Sequence, residues 1–211
     1  VDYGLNYLGE MEFQKLTYID NGVPSLSIGG FTNGVRVVDM AKGYSTLANG
    51  GVYNDQTCIR KIDHEHNGEL TKNLKAHSQV VYQQDSAYML TDVLKGTLNE
   101  SYGTGYGLAL ESGMPAAGKT GTTNSSKDTW FCGYTRYDTP RSMPGIYGKT
   151  YAGKIWKQVM DQIHEGKELL DWEQPATVEM TTDSKSGITD LFSATLHERA
   201  EQSLHDKEQR K

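Results

Sequence analysis

The stretch Gly113-Met-Pro-Ala-Ala-Gly118-Lys119-Thr120-Gly121-Thr122-Thr123, with Thr129-Trp-Phe-Cys-Gly-Tyr-Thr135 close behind it, decides how the rest of the chain is read. Gly113 to Thr120 meets the spacing of a phosphate-binding loop, in which glycines let backbone amides wrap phosphates and a lysine supplies charge. The context excludes that reading. Such a loop opens a helix, so that the helix N-terminus faces the anion. Here Thr120-Gly-Thr-Thr-Asn-Ser-Ser126 consists of β-branched and turn residues with poor helix propensity. No apolar strand ending in a magnesium-binding aspartate follows it. The later run, Thr129 to Thr135, is rich in aromatic and β-favouring residues and reads as a strand.

Outward from this centre, three segments carry apolar residues at helical spacing. Val37, Met40, Ala41, Tyr44, Leu47 and Ala48 form the first stripe, which stops at Asn49-Gly50-Gly51, where glycine accepts a left-handed C-cap. Its N-terminus lacks a capping side chain, because Arg36 stands where Ser, Thr or Asp would serve. Ala87, Leu90, Val93, Leu94 and Leu98 form the second stripe, with Asp85 in the first turn, where the helix dipole favours negative charge. The third helix is expected over 152–165, with Ile155, Trp156, Val159, Met160 and Ile163 as its stripe and Gly166 as its stop. Further strands are expected over 51–62 and 79–82, with a polar turn over 63–68.

Composition bounds the function. The 211 residues, 36 % apolar and 23 % charged, suit one globular domain or slightly more. A net charge of −6 offers no basic surface for counterion release, so nucleic acid is not an expected partner. No run of apolar residues is long enough to span a bilayer. The opening Val1-Asp-Tyr-Gly reads as the interior of a longer protein. Cys58 and Cys132 are too few and too far apart for a zinc site or a disulfide framework and read as core residues. The six histidines are scattered, and no metal or other cofactor is expected.

The phrases Val38-Asp-Met-Ala-Lys-Gly-Tyr-Ser-Thr-Leu-Ala-Asn-Gly-Gly-Val-Tyr53, Ala87-Tyr-Met-Leu-Thr-Asp-Val-Leu-Lys-Gly96, Gly103-Thr-Gly105, Ala116-Ala-Gly-Lys-Thr-Gly-Thr-Thr-Asn124, Lys127-Asp-Thr-Trp-Phe-Cys-Gly-Tyr-Thr135 and Ile155-Trp-Lys-Gln-Val-Met160 follow one another in order. Together they resemble the distal part of the transpeptidase domain of a bacterial bifunctional (class A) penicillin-binding protein, a serine acyl-transfer family in which Lys-Thr-Gly is a signature element. The resemblance implies an α/β (α+β) fold of mainly antiparallel sheet with packed helices, present as its later part over 1–172, followed by a polar C-terminal tail over 173–211.

It also implies roles. Acyl transfer to a stem peptide ending in D-Ala-D-Ala requires an anchor for its carboxylate, an activated serine and an oxyanion hole. Lys119 would project its ammonium into the cleft and ease proton movement among neighbouring hydroxyls. Thr120 and Thr122 would offer hydroxyls to the carboxylate, with Thr123 beside them on the substrate-binding stretch. Gly121 would let substrate backbone lie against the strand, and the Thr122 N–H would serve as an oxyanion donor. Gly103-Thr104-Gly105 would form a loop beside the cleft, whereas Trp130 and Phe131 read as core. Expected partners are the stem peptide, β-lactams and the upstream part of the same domain, on the extracytoplasmic face of the membrane.

Two departures stand out. The family's nucleophile sits in Ser-x-x-Lys and its proton-transfer serine in Ser-x-Asn; no serine here is followed by Lys three residues on or by Asn two residues on. After Thr135, Arg136-Tyr-Asp-Thr-Pro140 stands where the family continues into another strand. A strand skipped there would leave its neighbour's ladder open and part of the last helix uncovered. A non-catalytic scaffold module and a D,D-carboxypeptidase or β-lactamase relative are the competing readings, and the chain alone is expected to be inactive and marginally stable.

Overall fold

The computed structural model describes residues 2–22, 24–55, 63–64, 68–69, 77–123, 128–136, 153–182 and 187–197. At its centre strands β5 (Ala116–Thr122) and β6 (Thr129–Thr135) pair antiparallel, with Gly118 opposite Gly133 and Thr120 opposite Phe131. Because side chains alternate across a strand, the two faces of this ribbon bury different partners.

One face meets helix α4 (Gly153–His164). Ala116, Trp156 and Met160 lie in one buried cluster with Leu98, Leu108, Leu110 and Met114, and Phe131 packs against it. The Phe131 and Trp156 rings sit 5.2 Å apart, tilted by 60°. Glycine at 118 and 133 makes room for them: a Cβ on Gly118 would lie 2.8 Å from Phe131, and one on Gly133 would lie 2.6 Å from both rings. Thr135 closes this face through a 3.0 Å bond between its hydroxyl and His164 Nε2, while His164 Nδ1 reaches the Met160 carbonyl.

The other face carries helices α2 (Val37–Ala48) and α3 (Gln84–Asn99). Ala117 and Tyr134 are buried there with Leu47, Ala87 and Leu94. Tyr134 hydroxyl and Thr91 hydroxyl share a 3.1 Å hydrogen bond, and burial pushes the phenol up to about 12. The α3 stripe is narrower than its sequence suggested. The buried line runs Ala87, Thr91, Leu94, Leu98, whereas Leu90 and Val93 are exposed. Among the described residues the ribbon is two strands wide and covers one line of the helix, and Thr91 takes a core position because Tyr134 satisfies its hydroxyl. On α4 the line Gly153, Trp156, Met160, His164 is likewise buried while Ile163 is exposed.

Helix α2 spans the predicted residues. Arg36 makes no capping bond; instead it forms a forked pair with the buried Asp39 (2.9 and 2.7 Å), whose carboxylate also accepts the Gln14 N–H. Burial alone would raise the Asp39 pKa; Arg36, Gln14 and Lys42 outweigh it and hold it low. At the other end the Gly51 N–H bonds the Thr46 carbonyl and the Gly50 N–H that of Leu47, a Schellman stop with both glycines at positive φ. The chain then enters β1 (Val52–Asn54), which pairs antiparallel with β4 (Ser78–Val80). Between them β2 (Asp63–His64) and β3 (Gly68–Glu69) form a minimal hairpin at the expected turn. The rest of the strand expected over 51–62, Cys58 included, lies outside the described residues.

An N-terminal helix, α1 (Asp2–Glu10), and two 3₁₀ turns (Tyr18–Gly22, Pro24–Ile28), none of them anticipated from periodicity, precede α2. Met11 and Phe13 cover one end of the core with Tyr53 and Val81. After α4 the chain returns across α2 and α3. Trp172 Nε1 donates to the Ala48 carbonyl, Lys95 meets Asp171, and Arg136 reaches the Asp171 carbonyl and Glu173. The polar segment beyond 173 includes a hairpin, β7 (Val178–Thr182) with β8 (Thr189–Ser193), where composition pointed to a solvated tail. Val178 is buried at its base, and the buried Ser193 hydroxyl donates to Asp85 at the start of α3 (2.6 Å). Polar side chains thus dock it, which apolar periodicity could not register. Among the described residues β6 pairs only with β5, and 137–152, where the skipped strand would fall, lies outside them.

Two outcomes are expected. Gly133→Ala forces a methyl into the Phe131–Trp156 contact, and overpacking of this kind costs about 1–3 kcal/mol; urea unfolding measures it, and an unchanged midpoint would contradict the contact. Asp20 is buried and accepts N–H bonds from Thr32 and Thr17 (2.8 Å each) and the Thr17 hydroxyl. These bonds, Thr32's foremost, lower its pKa from 3.8 to about 2. A depressed carboxylate stabilises the fold fully above its ordinary pKa and loses that contribution as pH falls towards 2. Melting curves between pH 5 and pH 2 are therefore expected to fall less steeply for Asp20→Asn than for the wild type.

Candidate active site

Lys119, Thr120, Gly121 and Thr122 all lie on β5, and Thr123 is the first residue past it. The strand combines small residues (Ala116, Ala117, Gly118, Gly121) with β-branched ones (Thr120, Thr122) opposite an aromatic-rich partner strand, and its pairing settles where each group points. The Thr123 N–H donates to the Asp128 carbonyl (3.0 Å) in the same register as the ribbon. Hydrogen-bonded and non-bonded pairs alternate along an antiparallel ladder. The backbone groups of Lys119 and Gly121 therefore face β6, and those of Gly118, Thr120 and Thr122 face the opposite edge. Among the described residues no strand occupies that edge.

Lys119 is exposed, and its ammonium sits on this open edge, donating to the Thr120 carbonyl (2.8 Å). Its side chain leaves the ribbon on the α2/α3 face, opposite Cys132. Burial pushes the Cys132 thiol up to about 11, with the Lys119 charge drawing it part of the way back. Thr120 points to the other face, where its hydroxyl meets the Thr104 hydroxyl at 2.6 Å. The Gly103-Thr104-Gly105 loop thus lies against the strand. Gly121 differs from Gly118 and Gly133: a Cβ there would meet only Trp130 Cβ, at an ordinary 3.5 Å. Among the described residues, packing explains Gly118 and Gly133 and leaves Gly121 unexplained.

Thr123 stands apart from the other four. Its hydroxyl accepts the Asp128 N–H (3.1 Å) and holds the end of the hairpin. Both aromatic residues expected in the core, Trp130 and Phe131, are half-buried, and Phe131 packs against the buried cluster. Taken together, the open edge offers the outward N–H groups of Thr120 and Thr122 and the Lys119 ammonium, with the Thr120 hydroxyl on the adjoining face of the strand. Such a set has the hydrogen-bonding and charge chemistry to pair with an extended chain that ends in an anion. The contact between Thr104 and Thr120 leaves no signal in the sequence: the resemblance puts the loop beside the cleft but does not name its partner.

The penicillin binding protein transpeptidase domain family matches residues 7–165, and the chain belongs to that family. Penicillin-binding protein 1A of Clostridium botulinum is 29 % identical over 167 residues, covering 75 % of this chain and 20 % of that protein. Penicillin-binding protein 1A/1B of Bacillus subtilis is 36 % identical over 151 residues, covering 64 % of this chain and 16 % of that protein. Among solved structures, the penicillin-binding protein PonA1 from Mycobacterium tuberculosis superposes with a TM-score of 0.59 at 27 % identity, over 72 % of this chain and 44 % of that one. The mixed α/β fold with small antiparallel sheets is that of the penicillin-binding transpeptidases. The chain spans about a fifth of the length of the curated relatives it matches.

The thiol on the Lys119 face provides a probe of this geometry. At pH 8, iodoacetamide should alkylate Cys132, followed by peptide mass spectrometry, on the order of 100-fold more slowly than a free thiol, because so little thiolate is present. Lys119→Ala removes the charge that favours thiolate and should slow the reaction further. A rate that rises in the variant would place the ammonium elsewhere.

Proposed function

We propose that this chain forms the carboxylate-recognising wall of a serine D,D-transpeptidase that cross-links peptidoglycan, receiving a stem peptide ending in D-Ala-D-Ala, or a β-lactam that resembles it, along the open edge of β5. The observation that carries this reading is the edge itself. It combines outward-facing N–H groups, the Lys119 ammonium on that side and a glycine at 121 that the packing among the described residues does not require. An extended peptide adds to such an edge through its main chain.

In this reading Lys119 provides the positive charge that favours the substrate carboxylate, and the hydroxyls of Thr120 and Thr122 direct hydrogen bonds to it. A side chain at 121 would stand between strand and substrate. The Thr122 N–H serves as an oxyanion donor, stabilising the charge that develops when the carbonyl becomes tetrahedral. Thr123 supports them by closing the hairpin. The nucleophile and its base belong to Ser-x-x-Lys and Ser-x-Asn, neither of which occurs in these 211 residues; the upstream part of the same domain would supply them. Serine attack on the penultimate D-Ala carbonyl then expels the terminal D-Ala, and an amine of a second stem takes the acyl group from the serine. The parent protein would also carry a peptidoglycan glycosyltransferase and act on the extracytoplasmic face of the membrane. Among the described residues no helix is long and apolar enough to cross a bilayer.

Without a nucleophile the covalent route is closed. Intact-mass spectrometry after exposure of the chain to a β-lactam should show no adduct, and an adduct would identify a nucleophile outside the Ser-x-x-Lys pattern. Titration of the ¹⁵N-labelled chain with an N-acylated D-Ala-D-Ala peptide should shift the amides of Thr120 and Thr122, and Lys119→Ala should weaken that binding ~10-fold or more. Shifts confined to other elements would refute the site.

A further inference from the structure

We infer that Thr104, outside the Lys-Thr-Gly element, is a positioning residue for carboxylate recognition: its hydroxyl sets the direction in which the Thr120 hydroxyl donates. The inference rests on the reading of the β5 edge given above and extends it to a residue 16 positions away.

A threonine hydroxyl has one proton and two lone pairs. Left alone on the surface it rotates, and its proton samples water on several sides. In this structure the Thr104 and Thr120 oxygens are 2.6 Å apart, so one of the two protons lies between them. If Thr104 donates, Thr120 keeps its own proton for a third partner, and the accepted bond fixes where that proton points. An anion at the strand edge selects this arrangement, because the opposite one would present it with a lone pair. The two hydroxyls then act as a short relay whose outer end is a donor, and such a chain polarises towards the charge at its end.

The loop is built to hold Thr104 in that place. A Cβ on Gly103 would lie 2.4 Å from the Thr97 carbonyl oxygen and 2.6 Å from that of Gly96, so only glycine lets the chain pass so close to the end of α3. The Gly103 N–H bonds the Glu100 carbonyl (2.8 Å), and the Gly105 N–H bonds that of Thr97 (3.0 Å). Gly105 is buried while Thr104 between the two glycines is exposed. The backbone is therefore fixed by its own bonds to α3. The Thr104 side chain is left over for Thr120, and the fold does not need it.

That last point separates positioning from stapling. Thr104→Val keeps the β-branched shape and removes the hydroxyl, while Thr104→Ser restores it. The wild-type chain and both variants would be titrated, by ¹⁵N spectra, with an N-acylated D-Ala-D-Ala peptide and with the same peptide ending in a carboxamide. In the wild type the free carboxylate is expected to bind ~10-fold more tightly than the carboxamide. Thr104→Val should reduce that preference to about twofold with the melting temperature within about 2 °C of wild type, and Thr104→Ser should restore the preference. A valine variant that keeps the full preference overturns the role of Thr104 and leaves the edge site standing. Loss of preference accompanied by a large drop in melting temperature, unrescued by serine, overturns it in favour of a structural staple. Failure of the wild-type chain to bind either peptide defeats the site itself, and is seen before any substitution is made.

Discussion

The contact of Phe131 with Trp156 over two glycines is the constraint on which the rest of the structure depends. Two antiparallel strands are marginal on their own, and this ribbon persists because helices pack on both of its faces. On one side the aromatic pair can approach only where residues 118 and 133 lack side chains, and that approach brings α4 against the ribbon. On the other side Ala117 is small enough for α2 and α3 to close on Tyr134. The ribbon is thereby held between helices, and among the described residues no strand covers the outer edge of β5.

Polar contacts serve the same end at the periphery. Thr91 with Tyr134, Thr135 with His164, and Ser193 with Asp85 each satisfy a buried hydroxyl that would otherwise cost about 1–3 kcal/mol. They join elements far apart in sequence: β6 to α3 and to α4, and the late hairpin to the start of α3. Helix α3 is the common member. It supports the ribbon with its buried line, receives the hairpin at its N-terminus, and offers its last carbonyls to the loop that carries Thr104.

Legibility in the sequence followed the kind of signal. The bounds of α2 could be read because a stripe ended at Gly50-Gly51, and a Schellman stop demands a left-handed residue at the position that Gly50 holds. The rejection of a phosphate loop at Gly113 to Thr120 was equally local, since β-branched residues after Lys119 favour a strand, and a strand is present. The α3 stripe was drawn too wide because periodicity counts apolar residues without asking how much surface is available to cover them. Leu90 and Val93 face outward while Thr91 faces in. Helix α1 and the hairpin over 178–193 were not foreseen, since their anchoring rests on a few buried contacts and polar bonds and not on a repeating pattern.

The sequence by itself determined that Lys119, Thr120 and Gly121 lie on a strand in the order of the penicillin-binding transpeptidases, and that no Ser-x-x-Lys accompanies them, because both are matters of residue type and spacing. Only the tertiary structure decided which edge of that strand stays open, that Lys119 and Thr120 leave it on opposite faces, and that Thr104 meets Thr120. Pairing register and loop docking depend on contacts between residues that are remote in the chain, and a contact of that kind leaves no mark on the local pattern of either partner.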